Sequence, residues 1–234
     1  MDLYIDPTAT TSRAVLALCF ELDLPVDVRP VSLMKGEHHQ PPLATLNPNR
    51  LVPVLDDDGF VLTESSAILR YLARRAGSPL YPAELHAAAR VDERIAWFES
   101  NFYRDFGYQY IYPQLMPHHG RGSDEATRAT IEWGRAASLR WLQVLDGHFL
   151  AGDGPWLAGA QPTIADFHGA SILSLAELVG GGLEEFARVQ AWLGRVETLP
   201  SWRRACEDFR AFARAIQGQP WIGLHTQSER AAAA

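Results

Sequence analysis

The spacing of hydrophobic and polar positions changes once along the chain, near residue 77. Before that point, short apolar runs at residues 3–5 and 26–31 flank a helical pattern at residues 13–22, which predicts a strand, a helix and a second strand. A β-α-β unit of this length favours a parallel strand pair with a right-handed crossover. The polar, proline-broken residues 35–50 then predict a loop that holds a helical turn.

A hairpin and a helix follow in residues 51–72, LVPVLDDDGFVLTESSAILRYL. Two short apolar strands flank an Asp-Asp-Gly turn, and the hydroxyl-rich segment after them opens a helix with an apolar face. The free N–H groups and positive dipole end of that helix, with the hydroxyls of Ser65 and Ser66, suit a carboxylate ligand. Glu64 adds a negative charge that can pair with an ammonium group. The segment is therefore either a receptor for an amino-acid-like group or an ordinary capped helix.

The second part of the chain is predicted to be entirely helical. Apolar residues recur at helical spacing over residues 87–106, 123–150, 163–178, 189–198 and 201–216, with an aromatic run at 107–113. Thr163 and Asp166 have the spacing of a capping box, which we interpret as structural. These patterns divide the chain into an α/β domain (1–76), a linker (77–86), a helical domain (87–217) and a tail (218–234). We expect the final four alanines of the tail to be poorly ordered.

Composition and charge exclude several classes of function. The chain has 234 residues, of which 47% are hydrophobic and 21% charged, as in soluble globular proteins. Its formal net charge of −7 argues against nucleic acid or an anionic membrane as the main partner. No apolar run reaches the roughly 18 residues of a membrane span, and the segment MDLYIDP does not resemble a secretory signal. The two distant cysteines, Cys19 and Cys206, are typical of reduced core thiols in a cytoplasmic protein, with a disulfide between them as the alternative.

The Val-Pro pair, the hairpin and the Glu-Ser pair of residues 51–72 resemble the glutathione-binding half of the glutathione transferases. Residues 149–167, FLAGDGPWLAGAQPTIADF, resemble the loop and capped core helix of the same family. The similarity covers nearly the whole chain and looks close to the theta-like and bacterial, nu-like members. It implies a thioredoxin-like N-terminal domain followed by a C-terminal helical-bundle domain, an α/β + all-α architecture. It also implies glutathione as co-substrate, a small hydrophobic electrophile as partner and a homodimer.

The resemblance implies glutathione-binding roles for five residues. In the family, the residue before a cis proline binds the cysteinyl part of glutathione through its backbone, which implies that role for Val52, with Pro53 beside it. Glu64 and Ser65 correspond to the acid and the serine that hold the γ-glutamyl amine and carboxylate. His38 matches a histidine that theta relatives use toward the glycyl carboxylate.

The residue that activates the thiol is expected between the first strand and the first helix. A hydrogen-bond donor there stabilises the thiolate, since a free thiol has a pKa of roughly 8.5. Ala9 occupies the position of the catalytic serine of theta relatives, which is a departure from their pattern. Thr10 falls where beta-class enzymes carry a cysteine, and the Pro7-Thr8-x-Thr10 pattern resembles the nu-like enzymes. We predict Thr10 as the thiolate donor and Thr8 as second choice, ahead of Ser12; the alternative is that these hydroxyls only cap the helix.

Three functions fit these residues. The first is conjugation of glutathione to a small electrophile, of which halogenated compounds are one class, as in detoxification. The second is glutathione-dependent reduction of disulfides, which the nu-like resemblance implies. The third is non-catalytic binding of glutathione, since Ala9 removes the usual theta hydroxyl. We assign Phe106 and Tyr110 to the electrophile pocket, which the helical domain builds in the family, and predict no metal at His118-His119.

Overall fold

The fold is given by a computed structural model that describes residues 1–152 and 154–225. The final four alanines of the predicted tail lie outside the described residues. The beginning of the tail packs on the helical domain: Leu224 is 1% exposed, and the backbone N–H of Ile222 donates to Oε1 of Gln114 at 2.8 Å. That part of the tail therefore contributes to the core.

Four short strands form the sheet of the first domain. They are β1 (Asp2–Ile5), β2 (Asp27–Pro30), β3 (Val54–Asp57) and β4 (Phe60–Thr63), and their order in the sheet is β2-β1-β3-β4. β1 and β2 run parallel, as predicted, whereas β3 is antiparallel to both β1 and β4. With helices packed on it, the sheet has the predicted thioredoxin-like arrangement.

The β3–β4 hairpin turns the chain toward the next helix. Its loop consists of Asp58 and Gly59, which have φ angles of 53° and 93°. Two successive positive φ angles match the right-handed twist of the flanking strands, and glycine adopts them without steric cost. The turn returns the chain along β4 to Glu64, where the helix begins.

Three helices complete the first domain, namely α1 (Thr10–Glu21), α2 (Leu43–Leu46) and α3 (Ser65–Arg75). The predicted start of α1 near residue 13 is wrong, because the helix begins at Thr10. Ala9 occupies the N-cap with extended backbone angles (φ −69°, ψ 135°), and no side chain caps the helix. Thr10, Thr11 and Ser12 therefore lie inside the first turn.

The second domain is helical, as predicted. Its α-helices are α4 (Leu85–Trp97), α5 (Tyr112–Leu115), α6 (Asp124–Val144), α7 (Ile164–Leu173), α8 (Ala187–Glu197), α9 (Pro200–Ala205) and α10 (Glu207–Ala215). Short 3₁₀ turns lie at Glu37–His39 in the first domain and at Pro117–His119 and Ser174–Val179 in the second. The described residues contain three π-helical segments: Phe98–Phe102 and Arg104–Ile111 lead from α4 to α5, and Leu145–Phe149 extends α6. None of the helices in the described ranges is long and apolar enough to cross a membrane.

In the second domain, the predicted extents of two helices differ most from the structure. The helix predicted to end near residue 106 continues to Leu115, because the aromatic run after Gly107 forms wide π-helical turns. The helix predicted over residues 201–216 is divided at Cys206, whose backbone angles (φ −100°, ψ 3°) leave the α-helical region.

The start of α7 carries the predicted capping box, in which the side chains of Thr163 and Asp166 each accept a hydrogen bond from the backbone N–H of the other residue. Asp166 is 1% exposed and also accepts from the backbone N–H of Leu157 at 2.9 Å and from Nε1 of Trp192 at 2.8 Å. The pair ties the preceding loop and α8 to α7, which is a structural role.

The main core runs from the sheet into the helical domain. Leu3, Ile5 and Leu55, on one face of the sheet, pack with α1 and α3, and this cluster continues into the buried side chains of the helical domain. A smaller cluster covers the other face and comprises Val31, Leu43, Val52 and Val54. The end of the sheet from which α1 starts therefore lies between two packed layers.

Candidate functional site

Four hydroxyl side chains surround the start of α1, and each has a different environment. Thr8 bonds Asp6, Thr10 contacts Tyr112, Thr11 bonds Val52, and the Ser12 hydroxyl is buried without a hydrogen-bond partner. No side chain caps the helix. The alternative that these hydroxyls serve only as caps is therefore wrong, and Ser12 lies inside the helix as expected.

Thr8 is held by a buried carboxylate. Its hydroxyl donates to Oδ1 of Asp6 at 2.7 Å, and its backbone N–H donates to the same oxygen at 2.8 Å. The second oxygen of Asp6 accepts from the backbone N–H of Leu33 at 2.9 Å. Asp6 thus joins the loop after β1 to the segment after β2, and the single hydroxyl hydrogen of Thr8 is committed to it.

Thr10 connects the two domains through a chain of hydroxyl groups. Its Oγ1 atom lies 3.0 Å from the hydroxyl oxygen of Tyr112, which lies 2.6 Å from that of Tyr103. Both tyrosines belong to the helical domain and flank the π segment Arg104–Ile111. Thr10 is 4% and Tyr112 8% exposed, so the contact is sheltered from bulk water. Tyr108, 44% exposed, packs edge-on against the Tyr112 ring.

Burial keeps these tyrosines in their protonated form. It raises the pKa of Tyr112 to about 12 and raises the pKa of Tyr103 well above its ordinary value. Burial also raises the pKa of Tyr108. The phenol groups are therefore neutral hydrogen-bond donors and acceptors at physiological pH.

The backbone beside Pro53 is adjacent to the start of α1. The peptide bond between Val52 and Pro53 is cis. The Thr11 hydroxyl donates to the carbonyl oxygen of Val52 at 3.1 Å, and Val52 is 9% exposed. The first turn of α1 and the backbone of Val52 therefore lie side by side.

The start of α3 combines an exposed carboxylate with two sheltered hydroxyls. Glu64 is the N-cap residue, with a φ of 65°, and its exposed side chain does not cap the helix. Ser65 and Ser66 are 6% and 8% exposed. Burial raises the pKa of Glu99, from the first π segment, and the nearby Ser66 hydroxyl partly offsets that shift. The first N–H groups of a helix have no intrahelical acceptor, so this end of α3 suits an anionic group.

His38 lies on the 3₁₀ turn Glu37–His39 and is half-buried. Its ring centroid is 3.9 Å from that of His39, and its Nδ1 atom is buried without a partner. Burial lowers the pKa of His38, and the imidazoles of His39 and His118 lower it further. Because His118 belongs to the helical domain, the turn that carries His38 lies close to that domain.

Phe106 and Tyr110 do not reach the cleft between the domains. Both have 0% exposure and belong to the main core. The Tyr110 hydroxyl donates to the carbonyl oxygen of Ile222 at 2.8 Å, so its polar end faces the tail. Their burial does not support the predicted pocket role, because helical spacing cannot separate the core side of an aromatic stripe from its open side.

Neither cysteine is placed to take part in the site. Cys19 and Cys206 are each 1% exposed and form no disulfide. Burial raises the pKa of the Cys19 thiol to about 12 and raises that of Cys206 as well. His118 and His119 lie on a 3₁₀ turn, and the described part of the chain holds no group of three or more His, Cys, Asp or Glu residues that could bind a metal.

Two family models match the chain, one in each half of the fold. The model of the glutathione S-transferase N-terminal domain matches residues 1–74, and the model of the C-terminal domain matches residues 103–200. The chain belongs to the glutathione S-transferase family. The family prediction made from the Val-Pro pair, the hairpin and the Glu-Ser pair is confirmed.

Individual glutathione S-transferases are similar to this chain over most of their length. Human (Homo sapiens) glutathione S-transferase theta-2 is 36% identical over 202 residues, which are 84% of this chain and 80% of the relative. Bovine (Bos taurus) theta-1 is 35% identical over 229 residues, which are 94% of this chain and 92% of the relative. The crystal structure of human theta-2 in complex with glutathione and an unknown ligand has a TM-score of 0.82 and 31% identity, and the match covers 99% of this chain and 96% of that one.

Three residues that surround Thr10 and Val52 in this glutathione S-transferase are not among the predicted site residues: Thr11, which the sequence offers only as a cap, and Tyr103 and Tyr112, which it places only in an aromatic cluster facing the first domain. The tyrosines stand nine positions apart, a spacing that puts two residues on opposite faces of an α-helix. Their contact depends on the π segment, which hydrophobic periodicity does not reveal. The role of Thr11 follows once α1 is known to begin at Thr10, a boundary that the sequence places too late.

Proposed function

We propose that this glutathione S-transferase conjugates the thiolate of glutathione to a small hydrophobic electrophile. The observation that carries the proposal is the buried contact of 3.0 Å between the hydroxyls of Thr10 and Tyr112, where the two domains meet. It places a neutral hydroxyl group in the first turn of α1, where the helix dipole also favours an anion. The similarity to theta-class transferases over most of the chain supports the same reaction.

Glutathione is proposed to lie along the starts of α1 and α3. Its cysteinyl part pairs with the backbone of Val52, beside Pro53, and replaces the present hydrogen bond from Thr11 to the Val52 carbonyl. Glu64 holds the γ-glutamyl ammonium group. Ser65, with the first N–H groups of α3, holds the γ-glutamyl carboxylate.

His38 is proposed to bind the glycyl carboxylate of glutathione. The residue is only half-buried, and its ring lies near the helical domain rather than in the core. Because burial and neighbouring imidazoles lower the pKa of His38, the ring acts as a neutral N–H donor at physiological pH.

Thr10, rather than Thr8, is proposed to stabilise the thiolate. The hydroxyl hydrogen of Thr8 is committed to Asp6, whereas the Thr10 hydroxyl can accept from Tyr112 and donate to sulfur. The thiol proton passes to water when the thiolate forms. The sulfur then attacks the electrophilic carbon, a carbon–sulfur bond forms, and in a halogenated substrate the halide leaves with the electrons of the carbon–halogen bond.

The electrophile is proposed to bind against the open side of the tyrosine cluster. The ring of Tyr108 lies 5.3 Å from that of Tyr112 and 5.7 Å from that of His119. This aromatic wall suits a flat apolar substrate, since aromatic side chains supply large contact areas with a few polar atoms.

A homodimer is the proposed assembly. An open groove of about 800 Å³ lies between β4, α3 and α4, and its lining includes Phe60, Tyr71 and Arg74. Phe60 is 52% exposed there. An exposed aromatic side chain at the edge of a groove supports burial against a second copy of the chain. Sedimentation is expected to give about twice the chain mass of 26.0 kDa, and the mass of one chain at micromolar concentration contradicts the dimer.

The division into domains at 1–76 and 87–217, with a linker at 77–86, is likewise a proposal. Its first boundary is supported by the end of α3 at Arg75 and the positive φ of 60° at Gly77, whereas α4 begins at Leu85, two residues before the proposed start of the helical domain. We further propose that the protein acts in the cytoplasm, where glutathione is kept reduced, in the detoxification of electrophiles.

The reaction is tested by supplying the purified protein with glutathione and two acceptors. With a halogenated nitroaryl compound, thioether formation and halide release are expected well above the rate of glutathione alone. With hydroxyethyl disulfide, reduction is expected to be slow by comparison. A protein that reduces the disulfide without releasing halide is a reductase, and one that binds glutathione without either reaction is a binding protein. Both outcomes contradict the proposal.

A further inference from the structure

Tyr103 and Tyr112 meet because the helix between them is wide. In an α-helix, nine residues span two and a half turns, so the two side chains would point in opposite directions. The intervening segment Arg104–Ile111 is instead a π-helix, with i→i+5 hydrogen bonds and more residues in each turn. The nine residues then come close to two whole turns, and the hydroxyl oxygens of the two tyrosines lie 2.6 Å apart.

Two glycines allow this arrangement. A Cβ atom at Gly107 would lie 2.5 Å from the ring of Tyr103, so a larger residue there displaces that ring. A Cβ atom at Gly134, on α6, would lie 2.8 Å from the backbone of Gln109, inside the π segment. The wide segment is therefore packed directly against α6, and Tyr103 lies against the bare backbone of Gly107.

The number of available hydrogens fixes the direction of the hydroxyl chain. Each hydroxyl has one hydrogen to donate. If Thr10 donates to the sulfur of glutathione, its Oγ1 atom accepts from Tyr112, and the Tyr112 oxygen accepts from Tyr103. Hydrogen bonds that run in one direction polarise one another and strengthen the terminal donor. The three hydroxyls then form one donor unit that ends at the sulfur.

We propose that Tyr112 and Tyr103 are positioning residues that orient the Thr10 hydroxyl and strengthen it as a donor to the glutathione thiolate. This inference rests on the proposed function, because it takes Thr10 as the group that contacts sulfur. Neither tyrosine has to touch glutathione. The raised pKa values of both phenols keep their hydrogens in place over the working pH range. The helical domain thereby takes part in activating the thiol, in a chain where Ala9 brings no hydroxyl.

The substitution Tyr112→Phe keeps the packing of the ring and removes the hydrogen that orients Thr10. The pKa of the bound thiol is expected to rise by about half a unit to one unit, which lowers the thiolate fraction at neutral pH roughly three- to tenfold. Tyr103→Phe, one hydrogen bond farther from the sulfur, is expected to cause a smaller shift of the same sign. Affinity for glutathione at a pH where the bound thiol is protonated is expected to stay unchanged, because the tripeptide is held by the starts of α1 and α3.

The thiol pKa is measured from the ultraviolet absorbance of the thiolate in the protein–glutathione complex as pH is varied, together with kcat/KM. Tyr81→Phe is the matched control, since its hydroxyl donates to Oδ2 of Asp92 at 2.9 Å, outside the hydroxyl chain. In a Thr10→Val background, Tyr112→Phe is expected to add no further shift, because the group through which it acts is absent.

Each result decides a separate point. A thiol pKa that is unchanged in Tyr112→Phe and Tyr103→Phe overturns the positioning role, even where Thr10→Val raises it. Equal shifts from Tyr112→Phe with and without the Thr10 hydroxyl overturn the connection through Thr10. If Thr10→Val itself has no effect, the proposed donor and this inference are both wrong. The conjugation reaction is tested separately, by thioether formation in the unaltered protein. Should Tyr112→Phe not fold, Tyr103→Phe carries the same test.

Discussion

The guanidinium of Arg13, on α1, donates to the hydroxyl of Ser174 at 2.8 Å, across the boundary between the two domains. Arg13 has 0% exposure. It also contacts the carbonyl oxygen of Ser171, Sγ of Cys206 and the ring of Phe209, whose centroid is 3.7 Å from the guanidinium carbon. A buried cation is costly to desolvate, so its partners have to meet it in good geometry. This side chain therefore fixes how α1 sits against the helical domain.

Arg13→Lys is expected to lower the free energy of unfolding by about 2–3 kcal/mol, measured by denaturant unfolding. A lysine keeps the charge but loses the planar group that stacks on Phe209 and reaches two acceptors at once. Arg204→Lys is the control, because Arg204 also lies over an aromatic ring, that of Phe20, but is exposed. The control is expected to cost under about 0.5 kcal/mol. Similar losses of unfolding free energy in the two variants contradict the interpretation that Arg13 fixes α1 against the helical domain.

Thr10→Val keeps the shape of the side chain and removes the proposed donor to sulfur. Losing one hydrogen bond to a charged group costs roughly 1.5–3 kcal/mol, so the pKa of bound glutathione is expected to rise by about one to two units. Turnover at neutral pH is then expected to fall about tenfold or more. The pH–rate profile measures the pKa and the turnover. A glutathione titration measures the affinity, which is expected to change little.

Thr8→Val is the matched control for Thr10→Val, since it also replaces a hydroxyl near the start of α1. Its hydroxyl donates to Asp6, so its loss is expected to affect stability more than the thiol pKa. If only Thr8→Val shifts the pH–rate profile, Thr8 is the donor and the assignment of Thr10 is wrong.

Glu64→Ala and Ser65→Ala are each expected to weaken glutathione binding by roughly 1–3 kcal/mol, because each leaves a charged group of the ligand without its partner. Isothermal titration calorimetry measures the change. Glu125→Ala, which removes an exposed carboxylate from the first turn of α6, is the control and is expected to leave the affinity unchanged. Unchanged affinity in both site variants removes the proposed γ-glutamyl site.

Acid is expected to destabilise the protein partly through His168. This residue is 1% exposed on α7, neither ring nitrogen has a hydrogen-bond partner among the residues that the structure describes, and burial lowers its pKa from 6.5 to about 4. The unfolded chain therefore binds the proton more tightly than the folded one. The stability that neutral His168 contributes is complete above about pH 6.5, and about 3 kcal/mol of it is lost as pH falls toward 4.

His168→Leu is expected to reduce the loss of stability between pH 6.5 and pH 4, because leucine takes up no proton. Two charged groups influence the measurement: Oε1 of Glu99 lies 3.7 Å from Nε2 of His168, and Arg70 also disfavours the protonated ring. Urea unfolding at several pH values gives the slope of the free energy of unfolding against pH. His86→Leu, at a side chain 95% exposed, is the control and is expected to leave the slope as it is. If the free energy of unfolding of His168→Leu depends on pH as steeply as that of the unaltered protein, groups other than His168 cause the acid sensitivity.

Much of the fold follows from the sequence because its signals are local. Short apolar runs predict the strands, and the Asp58-Gly59 pair predicts the hairpin turn that the structure contains. The start of α1 is not predictable in the same way, since threonine suits both a cap and a first turn. It is settled by the extended backbone of Ala9 and by the tie between Thr8 and Asp6.

The candidate site follows from the sequence only where its signal is a short motif. The Val52-Pro53 pair and the Glu64-Ser65 pair are each contiguous, and comparison with the family finds them. Thr10 and Tyr112 are separated by 102 residues, and their contact depends on a π-helix that the hydrophobic periodicity of the sequence does not predict. Burial likewise decides the position of Phe106, because the sequence shows an aromatic stripe without showing which side faces solvent.

The burial of the two cysteines has a consequence for the lifetime of the protein. A protein that draws reactive carbon electrophiles toward a thiolate exposes its own nucleophiles to alkylation. The chain has two cysteines, and each is 1% exposed, with burial raising both thiol pKa values. Their thiols are therefore neither accessible nor ionised at neutral pH, so the electrophile meets a reactive sulfur only on glutathione. The protein's own thiols are thus protected from alkylation by its substrates.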